Sequence, residues 1–142
     1  MTTQTRTLWE AGGAERIRAM TEAFYARATV DPLLKPLFDG GERDHAMYLA
    51  GWFAVVFGGP RDYLEERGGL DFVIWKHAML RISEEQRARW VALVCEAAAE
   101  VGVGAAFMGP FERFIEGVSR DVARNSHLSE AELTMLVGAD PR

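Results

Sequence analysis

The side chains best suited to chemistry are the three histidines, His45, His77 and His127, together with Tyr25 and Trp90. His77 sits in Phe72-Val73-Ile74-Trp75-Lys76-His77-Ala78-Met79-Leu80, where apolar neighbours favour a neutral imidazole. Such a ring coordinates a metal through one nitrogen while the other donates to a backbone carbonyl, which fixes its tautomer. It serves equally as a hydrogen-bonded core histidine, and spacing alone leaves both readings open. His45 precedes Leu49 and Phe53 on the inward edge of an apolar stripe, so it either enters a pocket or starts a helix at the surface. Tyr25 and Trp90 divide in the same way, between aromatic core with a locally satisfied polar tip and donors that face a pocket. His127, in Arg124-Asn125-Ser126-His127-Leu128, reads as an exposed residue near a helix end and is assigned no chemistry.

Other chemistries find no footing. Phosphate loop, serine nucleophile elbow, zinc spacing and paired-carboxylate motif are all missing. The only cysteine, Cys95, excludes an intramolecular disulfide and a cysteine-built metal site, and reads as a small buried hydrophobe. A net charge of -5 argues against a nucleic-acid partner. The longest apolar stretch, Ala46 to Gly59, falls short of the roughly twenty residues a membrane span needs and reads as a core helix. With no apolar signal run from Met1 to Glu10, the expected location is the cytoplasm.

These residues must be positioned by helices. Apolar residues recur at helical spacing in Ile17, Met20, Phe24, Ala28, and again in Ala46, Leu49, Ala50, Phe53, Phe57. A third stripe runs through Trp90, Leu93, Val94, Ala97, Val101, and a fourth through Phe111, Phe114, Ile115, Val118, Val122. Gly12-Gly13, Gly40-Gly41, Gly58-Gly59-Pro60, Gly68-Gly69 and the Gly102–Gly104 pair fall between the stripes, where helices stop. Ser83 with Glu85 and Gln86 marks a capped start, Pro110 suits a first helical turn, and Ser129 to Glu132 opens a last short helix ending at Gly138. The length and the 49% hydrophobic content suit one all-α domain spanning residues 1–142.

The order of landmarks resembles the truncated haemoglobin family. Leu8-Trp9-Glu10-Ala11-Gly12-Gly13 followed by Phe24-Tyr25-Ala26-Arg27 is similar to its opening. Asp31-Pro32-Leu33-Leu34 through Phe38, then Phe57-Gly58-Gly59-Pro60-Arg61-Asp62-Tyr63 with Glu66-Arg67-Gly68, resemble its second group, as does Lys76-His77-Ala78 with Trp90 beyond it. The likeness is good over about residues 8–101. It is looser to about residue 125, leaving 126–142 as a C-terminal extension.

The resemblance implies a two-over-two globin sandwich holding haem b. It makes His77 the proximal iron ligand, sets Phe38 on the porphyrin face, and makes Tyr25 the distal tyrosine and Trp90 the pocket tryptophan. His45 stands at the distal gate, as a hydrogen-bond donor or as a sixth ligand of the resting iron, with Leu49 a turn further in and Phe53 beyond. Lys76, Arg67 and Tyr63 are the candidate partners of the haem propionates, with a solvated surface as their other reading. The implied function is binding of dioxygen, held tightly by donors from Tyr25, Trp90 or His45, and of other diatomic ligands such as nitric oxide and carbon monoxide. The alternative is a haem enzyme with peroxidase-like or nitric oxide dioxygenase activity, the latter drawing electrons from an unidentified reductase.

Overall fold

Ile17, Met20, Phe24 and Ala28 recur along one side of a single helix, and all four are buried. In this computed structural model residues 8–38, 45–56 and 70–141 are described. Among them there are seven α-helices and no strand: α1 (Leu8–Ala28), α2 (Lys35–Phe38), α3 (His45–Val56), α4 (Leu70–Lys76), α5 (Glu84–Glu100), α6 (Ala105–Asn125) and α7 (Glu130–Val137). Helix α1 packs on α3 and α5, α5 packs on α6, and α4 lies against α6. The main core joins the α1 stripe to Leu34, to Phe53 of α3, to Val91, Leu93, Val94, Ala97 and Ala98 of α5, and to Phe111 and Ile115 of α6. This is the expected all-helical sandwich. No helix of the described residues is long and apolar enough to cross a membrane.

Local signals set several of the helix ends. Ser83 and Ser129 both build capping boxes, with Gln86 and Glu132 as the reciprocal partners. Gly138, at φ 91°, ends α7 in a conformation that a side chain would strain. Between α1 and α2 the Asp31 carboxylate accepts from the Leu33 and Leu34 amides at 2.9 and 3.3 Å, a tight turn that carries Leu34 into the core.

Two expected boundaries are different in the structure. Gly12-Gly13 does not break a helix but lies inside α1. Each glycine costs about 1 kcal/mol against alanine, less than the burial of the stripe that follows, and propagation adds a hydrogen bond for each residue fixed. Pro110 is not in a first turn. Helix α6 begins at Ala105 behind Gly104, so the proline lies in its interior. Met108 packs on the core and draws the earlier turn into the helix. Burial of Phe111 and Ile115 offsets the roughly 3 kcal/mol that an interior proline costs.

Helical patterning announces the last helix, α7, but neither α4 nor the packing of the tail. Helix α4, which carries the chain to His77, has only seven residues, too few to show a period or to be stable unsupported. The segment after Asn125 is also no loose extension. Leu133 of α7 is fully buried in a second apolar cluster with Ile74 and Trp75 of α4.

Candidate functional site

The aromatic residues singled out by sequence converge from three segments around Phe24. The Phe24 ring lies edge-on to Tyr25 at 5.4 Å, to Phe38 at 6.2 Å and to Trp90 at 6.1 Å between centroids. Tyr25 and Phe38 are themselves 5.5 Å apart. Helix α1 presents Phe24 and Tyr25, the Asp31 turn aims α2 so that Phe38 returns to them, and α5 supplies Trp90. Gln86 at the start of α5 ties this corner together by donating to the Leu33 carbonyl at 3.2 Å. Phe24, buried completely at the hub, was legible as a core residue but not as part of the site. Its place next to Tyr25 was the available signal.

The polar tips differ in their surroundings. The Tyr25 hydroxyl is enclosed, and burial pushes its phenol well above the ordinary value near 10, so it stays protonated and able to donate. Trp90 is half-buried, and its Nε1–H makes no hydrogen bond among the described residues. An indole N–H is a donor only, so it remains available to an acceptor entering beside it.

His77 follows directly on α4. Its Nδ1 lies 2.7 Å from the Val73 carbonyl one turn earlier, so Nδ1 carries the proton and donates. Nε2 is then the unprotonated nitrogen, its lone pair available. Burial holds the imidazolium form below its usual range, the Val73 hydrogen bond opposes this, and the neighbouring Lys76 charge adds to the lowering. A neutral ring with Nδ1–H on a backbone carbonyl and Nε2 available is the donor chemistry of an axial histidine, so these residues fit the haem that the resemblance implies.

The remaining predicted residues divide into three sets. Leu49 and Trp52 pack on the main core beside Phe53, which is completely buried and touches Phe111 at 6.2 Å between ring centroids. Lys76 is the last residue of α4, half-buried beside His77. His45 opens α3, its side chain outside the described residues, where Tyr63 and Arg67 also lie. The structure therefore gathers Tyr25, Phe38 and Trp90 in one apolar cluster, with Leu49 and Phe53, while Ile74 and Trp75 of α4, which precede His77, belong to the other. No group of three or more His, Cys, Asp or Glu among the described residues forms a protein-only metal site.

Among the described residues, the one buried charged side chain is that of Arg87. Arg87, on the inner face of α5, pairs with Glu84 at 2.6 Å and Glu116 at 2.9 Å and donates to the Ser119 hydroxyl at 3.1 Å. Each nitrogen of the fork has an acceptor, and the contacts to Glu116 and Ser119 tie α5 to α6.

Comparison with known proteins follows the same lines. The family model for bacterial-like globins matches residues 7–115. The chain is 29% identical over 125 residues to the group 2 truncated hemoglobin YjbI of Bacillus subtilis, covering 87% of this chain and 91% of that protein. Among solved structures, the hemoglobin of Chloroflexus aurantiacus superposes with a TM-score of 0.76 at 28% identity, covering 83% of this chain and 98% of that one. The truncated oxygen-avid haemoglobin of Bacillus subtilis gives a TM-score of 0.74 at 26% identity, covering 82% and 98%.

Proposed function

The chain belongs to the bacterial-like globin family, and from that premise we propose that it binds haem b through His77 and takes up dioxygen in a pocket bordered by Tyr25, Phe38 and Trp90. The observation that carries this reading is the His77–Val73 hydrogen bond at 2.7 Å, which commits Nδ1 to the backbone and leaves Nε2 for iron. With a single cysteine the chain has no C-x-x-C-H motif for attaching the haem through two thioether bonds. When bound, the haem would supply an iron able to take dioxygen, nitric oxide or carbon monoxide.

The rest is work for the protein's own side chains. Phe24 and Phe38 pack against Tyr25 and lower the local dielectric on the inner side of the pocket, which strengthens any hydrogen bond made there. Trp90 Nε1–H and the protonated Tyr25 hydroxyl are donors for a ligand that accepts negative charge. The oxygen avidity named for the B. subtilis protein is the behaviour two such donors would supply here. Leu49 and Phe53 line the apolar side of the pocket, while the resemblance alone assigns the propionates to Lys76, Arg67 and Tyr63 and the distal entrance to His45.

Ultraviolet and visible spectra of the purified protein, ferric and dithionite-reduced, test this against His77→Ala. The expected result is a strong Soret band in the wild type that is lost or altered in the variant. A wild type without a Soret band after reconstitution would overturn the proposal, and an unaltered variant would remove His77 from it. The reduced spectrum also reports whether His45 is a sixth ligand.

A further inference from the structure

We propose that the segment from Ser126 to Gly138 is a proximal clamp, with Ser126 and Leu133 as positioning residues for His77. The inference rests on the reading of His77 as the iron ligand and adds what holds it in place. It concerns a part of the chain beyond the family match, which ends at residue 115.

The clamp grips both sides of His77. On the N-terminal side, Leu133 is fully buried against Ile74 and Trp75, with Leu128 and Val137 packed around them. Trp75 also donates from Nε1 to the Gly138 carbonyl at 3.2 Å, closing α7 over α4. On the C-terminal side, the Arg81 amide donates to the Ser126 carbonyl at 3.1 Å and the Ile82 amide to the Ser126 hydroxyl at 2.9 Å. His127 Nε2 donates to the Ile82 carbonyl at 2.7 Å, so this exposed histidine has a tethering contact.

The linker gripped in this way is strained. Met79 and Arg81 have φ of 64° and 52°, left-handed values at residues that are not glycine. Such conformations persist where the surroundings over-determine them, and here the surroundings are Ser126 and His127. His77 lies two residues after Trp75 and four before Arg81, so its Cα is fixed by tail contacts on either side. Without them the linker relaxes toward ordinary φ values and carries the imidazole with it.

The test is the iron–histidine stretching band of the deoxy ferrous holoprotein, read by resonance Raman scattering in Ser126→Ala, Leu133→Ala and Met135→Ala. Met135 lies on the same helix but is 90% exposed. The expected result is a broader band at lower frequency in the first two variants, no change in the third, and about tenfold faster amide exchange at Ile82 in Ser126→Ala. Ser126→Ala removes only a hydroxyl and decides the matter if Leu133→Ala fails to take up haem. Unchanged bands in the haem-loaded variants overturn the clamp.

His77→Gly reconstituted with free imidazole separates positioning from general loosening of the pocket. Its ligand is no longer tethered to the chain, so adding Ser126→Ala leaves the band in place if the clamp acts through His77. An equal shift there refutes the clamp. A native band that persists in His77→Gly without imidazole shows instead that the ligand was misassigned, and the proposal falls with that reading.

Discussion

Replacing Trp90 by phenylalanine removes one donor and little else. The Phe24–Trp90 contact is an edge-on ring pair at 6.1 Å and 77°, a geometry a benzene ring also satisfies. What disappears is Nε1–H, which makes no hydrogen bond within the described protein and so is available to bound dioxygen. A hydrogen bond to a charged group contributes about 1.5 to 3 kcal/mol, and each 1.4 kcal/mol is about a factor of ten in rate. Trp90 is only half-buried. Water competes for the ligand there, so the lower half of that range applies and dioxygen release should quicken by about ten- to fortyfold. Stopped-flow displacement of dioxygen by carbon monoxide under excess dithionite measures the rate directly. The thermal midpoint should stay within a few degrees, since no buried group loses a partner. Release within twofold of wild type, in a variant that binds haem normally, would refute the assignment of Trp90 as a donor.

Three other outcomes follow from named contacts. Burial raises the Tyr25 phenol above its unfolded value, so the folded protein holds a proton there that the unfolded chain gives up. Stability from this group is complete below about pH 10 and is lost as pH rises beyond it; alkaline melts should fall more steeply for wild type than for Tyr25→Phe, and parallel curves would contradict the burial. Cys95, half-buried with Glu112 and Glu116 near, has its thiol pushed up from 9.0 to about 11. It should alkylate with iodoacetamide at pH 7.5 about a hundredfold more slowly than an unperturbed cysteine, and rapid labelling of the native protein would count against that environment. Arg87→Ala removes a guanidinium whose side chain is 6% exposed, while Glu84 and Glu116, at 74% and 33%, retain water. The loss of stability in denaturant titration should be about 2 kcal/mol, below that of a fully buried pair because water takes over the carboxylates. A loss below about 0.5 kcal/mol would mean the tie between α5 and α6 is dispensable.

Sequence by itself determined the features that repeat locally or follow one another in order. The period of Ile17, Met20, Phe24 and Ala28 announces a helix and its inward face, because the helical repeat brings those positions to one side. The capping boxes at Ser83 and Ser129 are legible for the same reason: both partners lie within three residues. The ordered series of motifs pointed to the globin family, and with it to His77, Tyr25, Phe38 and Trp90, three of which the structure gathers round Phe24. His45, Tyr63 and Arg67 stand as expectations carried by that resemblance.

Only the tertiary structure decided what crosses long stretches of chain. Helix α4 is too short to announce itself and exists because Ile74 and Trp75 are covered by Leu133. The interior position of Pro110 depends on packing around Met108, Phe111 and Ile115, not on the proline's own preference. Arg87, charged yet on the inner face of α5, is accommodated only because Glu116 and Ser119 arrive from α6. The grip of Ser126, His127 and Gly138 on the segment around His77 joins residues 44 to 63 positions apart. A helical period records which way a side chain faces, but the partner that meets it is chosen by packing the whole chain.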